Sequence, residues 1–133
     1  MSSASRLRRQ RGYHAENMLR KMLERVNGNV VFRVPVSGAR GNYPDVFVVN
    51  NLRRSITAFQ VKSTTKNMVK IPRQQLYAMK RFLNAFKLYP HRVMVCAVYF
   101  QKDKKWVFTQ LGSDKYLSDL IVRNVDESNW SMG

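Results

Sequence analysis

Asp45, Gln60 and Lys62 are the residues of this 133-residue chain whose types and spacing suit chemistry on a phosphodiester. Gln60 and Lys62 lie two apart in the run SITAFQVKST, so on a strand their side chains leave from one face. Asp45 opens the preceding run, DVFVVNN, and Asn50-Asn51 reads as a hairpin turn that brings Asp45 back toward them. Hard oxygens of this kind can hold Mg2+, and a neighbouring ammonium can position water beside a phosphate, which is what metal-assisted hydrolysis requires. A lysine within an apolar strand is costly to bury without a task or a partner.

The elements that must position these residues are legible from periodicity. Ala15, Met18, Leu19, Met22, Leu23 and Val26 follow helical spacing, which predicts a helix from about Gly12 to the Asn27-Gly28 pair. On that helix Glu24 falls opposite the apolar stripe and Glu16 at its margin. Residues 2–11 are polar and arginine-rich and read as a flexible basic arm. NVVFRVPV predicts a strand, SGARGNYP a glycine-rich loop, and DVFVVNN and SITAFQVKST two further strands. The last of these is apolar on both faces near its middle, as a central strand should be. Pro72 suits the first turn of a second helix carrying Leu76, Met79, Leu83 and Phe86. RVMVCAVYF and KWVFTQL then form a hairpin across QKDKK. The expected order is α β β β α β β: one α/β domain over 1–133, with a core at 12–110 and an unassigned segment at 111–133.

Composition narrows the function. The net charge is +16, and residues 1–100 hold 19 Lys or Arg against only Glu16, Glu24 and Asp45. Self-repulsion on this scale is relieved by a polyanion, whose displaced counterions supply binding free energy, so nucleic acid is the expected partner. An anionic lipid surface is the alternative, but the two helices have apolar stripes of ordinary core width. Cys96 is the sole cysteine, and His14 and His91 are isolated, which excludes a disulfide framework, a zinc site or a Cys/His catalytic pair. With no long apolar stretch and a charged start, a soluble intracellular protein is expected, with no membrane partner.

The runs GYHAE, RVPVSG, PDVFVV, QVKST and QQLYAMKRF occur in this order over residues 12–109. Together they resemble the archaeal-type Holliday junction resolvases, viral members included, within the PD-(D/E)xK nuclease superfamily. The resemblance implies a restriction-endonuclease-like fold, a central mixed β-sheet flanked by α-helices. It implies an endodeoxyribonuclease that resolves four-way DNA junctions as a homodimer, with Mg2+ as cofactor and Mn2+ as a substitute. By the same resemblance Glu16, Asp45, Gln60 and Val61 would hold metal, Ser37 would contact a phosphate, Lys62 would be the site lysine, and Gln75 would join them from the second helix. Phosphates of the junction arms would be gripped by Arg6, Arg8, Arg9, Arg11, Arg40, Lys66, Lys70 and Arg73. Read without the family, Glu16 would pair with Arg20 at i, i+4, and Asp45 would cap an edge strand. Residues 93–100 and 106–108 suit either a dimer interface or ordinary core.

Gln60 departs from the family pattern, which has glutamate there. Glutamine keeps the shape but offers a neutral oxygen, so metal binding should weaken. Either another ligand compensates, or the position was changed from glutamate. Three functions stay open: a junction resolvase impaired at Gln60, a related nuclease acting on other branched or damaged DNA, and a non-catalytic DNA-binding protein with a nuclease fold.

Overall fold

The apolar stripe that starts at Ala15 becomes the inner face of α1 (Ser3–Glu24), where Ala15, Leu19 and Leu23 are buried. In this computed structural model residues 3–34, 43–112 and 117–132 are described, with backbone alone over 3–12. The helix therefore starts well before the expected boundary, and the segment read as an arm is helical from Ser3, a correction to the sequence reading. Ala4, Leu7, Gln10 and the arginines are good helix formers, and a helix already nucleated by packing extends through such residues at little cost.

The remaining elements are β1 (Asn29–Arg33), β2 (Val46–Asn50), β3 (Ser55–Thr64), β4 (Met68–Ile71), α2 (Arg73–Asn84), β5 (His91–Phe100), β6 (Lys105–Leu111) and β7 (Leu120–Arg123). Five of them form a mixed sheet ordered β1-β2-β3-β5-β6, in which only β3 and β5 run parallel. A parallel pair needs a crossover, and β4 with α2 supplies it. The expected order missed β4 and β7, which pair antiparallel as a second, two-stranded sheet. The 111–133 segment thus contributes a strand.

Strand β3 is central, as its two-sided apolarity predicts, and each face of the sheet has its own core. On one face Leu19 and Leu23 of α1 pack with Val46, Phe59, Val61 and Val95. On the other, Leu76, Met79 and Leu83 of α2 pack with Ile56, Ala58, Met94 and Val98, joined by Ile71 and Val122 of the small sheet. Fully burying a Leu, Val or Met side chain stabilises by about 1.5–3 kcal/mol. The central stretch of β5, residues 94–98, is therefore interior to the chain, and Trp106 and Phe108 of β6 pack against the α1-side core. Residues 94–98, Phe100 and Val107 are core, while Val93, Tyr99, Trp106 and Phe108 stay partly exposed.

The turn into β1 is set by Gly28, whose φ of +85° suits glycine; a Cβ there would lie 2.7 Å from Leu52 Cδ1. The opposite edge of the sheet is covered without a strand. Phe108 N–H donates to Ser128 Oγ at 2.9 Å, and Asn129 N–H to the Phe108 carbonyl at 3.0 Å. The Asn129 side chain then pairs with both backbone groups of Gln110. Beside them Trp130 meets the rings of Phe59 and Phe108, each at 5.3 Å. Asn129→Ala loses two exposed hydrogen bonds, and urea unfolding should show a loss of about 1 kcal/mol.

Candidate functional site

The hairpin of β2 and β3 places Asp45. Val46 stands opposite Phe59 in the antiparallel register, and Asp45, one residue earlier, carries the chain on toward the Gln60–Lys62 end of β3. Its backbone is fixed on both sides: Asp45 N–H donates to the Phe59 carbonyl at 2.9 Å, and Val34 N–H donates to the Asp45 carbonyl at 2.9 Å. Its carboxylate accepts the buried Val61 N–H at 2.8 Å, Oδ2 being the acceptor. Such a bond aims a carboxylate as well as satisfying an amide. Asp45 is 8% exposed and Gln60 4%, so both oxygens sit where water competes little.

Alternation along β3 places Gln60 and Lys62 on the face of Ile56 and Ala58, which α2 covers. Cys96 of β5 is the rung beside Gln60. Burial pushes its thiol up to about 12, with Lys62 lowering the value and Asp45 raising it, so both charges reach this point. A buried thiol held protonated is unreactive and serves as a small floor residue.

Glu16 comes from α1. Its Oε2 accepts Arg33 Nε–H at 2.8 Å, and the Arg33 guanidinium lies 4.2 Å over the Tyr13 ring. Burial pushes the Glu16 carboxyl up, the Arg33 hydrogen bond pulls it down, and the negative charge of Asp45 adds to the rise. The two carboxylates are thus close enough to sense each other. The pairing with Arg20 expected for an isolated helix is not formed; Arg20 lies 4.0 Å from Glu24 instead.

Arg33 is the residue that sequence reasoning missed. Among the described residues its Nη2 is buried without a hydrogen-bond partner. The signal was available: alternation in NVVFR puts Arg33 on the face of Val31, which is the face that meets α1.

Gln75 lies in the first turn of α2, where its N–H bonds the Pro72 carbonyl at 3.0 Å. Its Oε1 is buried with no partner among the described residues. Ser37 and Arg40 lie outside the described residues, as do the side chains of Arg6, Arg8, Arg9 and Arg11. Lys66 is exposed in the turn after β3. Lys70 forms an exposed ion pair with Asp119 at 3.3 Å, and Arg73 N–H donates to the same carboxylate at 2.8 Å. Asp119 therefore caps α2 from a distant part of the chain.

The Arg73 N–H, followed by Lys70, holds the Asp119 carboxyl below its ordinary 3.8. A carboxyl depressed on folding contributes stability that is present above the unfolded value and lost as pH falls through the folded one. Asp119→Asn should lower the thermal midpoint slightly at neutral pH and match the parent in acid, a difference that melts across pH would reveal.

As a donor set, Glu16, Asp45, the Gln60 Oε1 and the Val61 carbonyl are all hard oxygens, the kind Mg2+ and Mn2+ take. Two carry charge. Among the described residues no group of three or more His, Cys, Asp and Glu stands where it could hold a metal ion. The set fits a hard dication in kind, with less charge than three carboxylates would give.

The family model of the archaeal Holliday junction resolvase, Hjc, matches residues 7–119. The crossover junction endodeoxyribonuclease of Sulfolobus islandicus rod-shaped virus 1 is 31% identical over 107 residues, spanning 80% of this chain and 85% of that protein. The 1.6 Å structure of Archaeoglobus fulgidus Hjc, a resolvase from an archaeal hyperthermophile, superposes with a TM-score of 0.56 at 23% identity, covering 70% of each chain. The nuclease fold expected from the sequence is the one observed. No described helix is long and apolar enough to cross a membrane. With a matching family model over most of its length and a viral relative at this identity, the chain belongs to the archaeal Holliday junction resolvase family.

Proposed function

We propose that this chain is a structure-selective endodeoxyribonuclease that resolves four-way DNA junctions by Mg2+-dependent hydrolysis, with its chemistry weakened at Gln60. Family membership supports the substrate class, and one observation carries the chemistry: the buried Asp45 carboxylate accepts the N–H of Val61, the residue between Gln60 and Lys62 on β3. Glu16, Asp45, Gln60 and the Val61 carbonyl would hold the ion. Mg2+, when bound, would act as a Lewis acid that offsets charge on the phosphate.

The chain's own residues do the rest. Lys62 donates hydrogen bonds to a phosphate oxygen or to the attacking water, holding it in line. Arg33, whose Nη2–H is unpaired among the described residues, can donate to a second phosphate oxygen while still holding Glu16. Ser37 and Gln75 add polar contacts to the substrate. Paired incisions need two such sites at a fixed separation, which a twofold homodimer provides most simply.

The second reading is a DNA-binding protein that keeps the fold without catalysis, and Gln60 favours it, being buried, neutral and placed where the family carries a charge. Cleavage of four-way, flap, nicked and plain duplex DNA in Mg2+ and Mn2+ tests both. Symmetric cuts confined to the junction are expected. Equal cutting of flaps or nicks would transfer the activity to other branched DNA. Absence of cutting by the parent and by Gln60→Glu, with tight salt-sensitive binding, would establish the non-catalytic reading.

A further inference from the structure

Three turns meet beyond the end of β3 that carries Lys62. The β5–β6 turn is attached to β3 itself: Gln101 N–H donates to the Thr64 carbonyl at 2.9 Å, and Gln101 Nε2 to Ser63 Oγ at 2.8 Å. The turn after β7 joins the one before β4, where Asn124 N–H donates to the Asn67 carbonyl at 2.9 Å. Asn124 also ties the turn after β7 to the β5–β6 turn, since its Nδ2 donates to Asp103 and its carbonyl accepts from Lys105 Nζ. Asp126 Oδ2 closes the last turn by accepting Arg123 N–H at 2.7 Å. Turns fixed to one another in this way hold their outward side chains at set positions.

Those side chains are basic. Lys66, Lys102, Lys104, Lys105 and Arg123 are exposed on the three turns or at the strand ends that border them, against Asp103, Asp126 and Glu127, of which the first two have carboxylates already hydrogen-bonded. Position decides the ligand. Thr64 is two residues past Lys62, about 7 Å along a strand, so the platform begins just beyond the site. Duplex DNA carries one phosphate per about 1.7 Å of axis, so a duplex whose scissile phosphate reaches Lys62 has further phosphates within that span.

We infer that this knit platform, led by Lys102, Lys104 and Arg123, is a second DNA-binding surface that grips the duplex backbone flanking the cut. The inference rests on the proposed nuclease reading for its substrate and adds the surface that holds the arm. The contacts are to phosphate, so they strengthen binding without reading bases. The turns are ordered by the bonds above, so little loop freedom is lost on binding.

The test is a salt titration of affinity, with EDTA present, for a four-way junction and for a linear duplex. Each lost phosphate contact should reduce the slope of log affinity against log salt by about 0.9, so Lys102→Ala/Lys104→Ala/Arg123→Ala should lose about 2–3 and bind roughly a hundredfold more weakly at 0.1 M salt. Arg53→Ala/Lys87→Ala removes exposed charges from the turns at the opposite end of the sheet, and its slope should stay near that of the parent. Lys104 has a φ of +48°, so Lys104→Gly removes one charge while relaxing the backbone, and it should fold at least as well with a slope lower by about 0.9.

Unchanged slopes in the triple variant and in Lys104→Gly would overturn the platform, as would an equal loss in the control pair. Retained DNA binding with lost binding to polyglutamate would also overturn it, by assigning the surface to an acidic protein. A parent that shows no preference for the junction over duplex would instead count against the proposed function, while the slope on duplex still decides the platform.

Discussion

Gln60→Glu is expected to raise Mg2+-dependent cleavage of a four-way junction by about two orders of magnitude, equivalent to roughly 2–3 kcal/mol of added charge stabilisation. The side chain keeps its length and its position on β3; only a neutral oxygen becomes charged. Because Gln60 is 4% exposed, the same change buries a further carboxylate one residue from the Val61 N–H that holds Asp45. Without a divalent cation this should cost about 1–3 kcal/mol of stability. Melting with and without Mg2+ should therefore show a larger metal-induced rise for Gln60→Glu than for the parent. No gain in cleavage, together with no gain in metal-dependent melting, would remove Gln60 from the metal site.

The second large effect is at Asp45. In a Gln60→Glu background, Asp45→Asn should reduce cleavage by about a thousandfold, since it removes the charge of a proposed metal ligand. Asparagine still offers an oxygen to Val61 N–H, so the fold should be nearly unaffected. Asp45→Ala leaves that buried amide without its acceptor and should cost a further 1–3 kcal/mol or so of stability. Comparing the two separates chemistry from architecture: equal loss of activity with unequal stability is expected. If Asp45→Asn cleaves as well as its parent, this carboxylate does not serve the reaction.

The parts of the fold legible in the sequence were those where one physical signal dominates. The run SITAFQVKST coincides with β3 from end to end because it is apolar on both faces and flanked by turn residues. The second helix and the β5–β6 hairpin follow from equally strong periodicity. Strands β4 and β7 were illegible because MVKI and LIVR are four residues each and become strands by pairing with each other across α2 and two further strands. The start of α1 was missed because polar residues with high helical propensity carry no apolar pattern.

Within the site, the return of Asp45 toward the Gln60–Lys62 stretch, where it accepts Val61 N–H, followed from the hairpin alone. The partner of Glu16 did not, because reasoning along one helix offers only Arg20 or its neighbours, whereas Arg33 arrives from β1. Gln75 is intermediate: its position in the first turn of α2 was readable, its buried oxygen, unpaired among the described residues, was not.

The parallel pairing of β3 with β5 has a kinetic consequence. The first rung, Ser55 with His91, cannot form until β4 and α2 have been laid down and the long connection closed. Closing such a loop costs chain entropy before any rung repays it, and mixed topologies of this kind fold on the order of milliseconds or slower. The hairpin of β2 and β3 can collapse early, so Asp45 and Gln60 meet before Cys96 slides in beneath them. A refolding chain should hence acquire its tryptophan burial and its grip on DNA in the same late phase, after most of its helix is present.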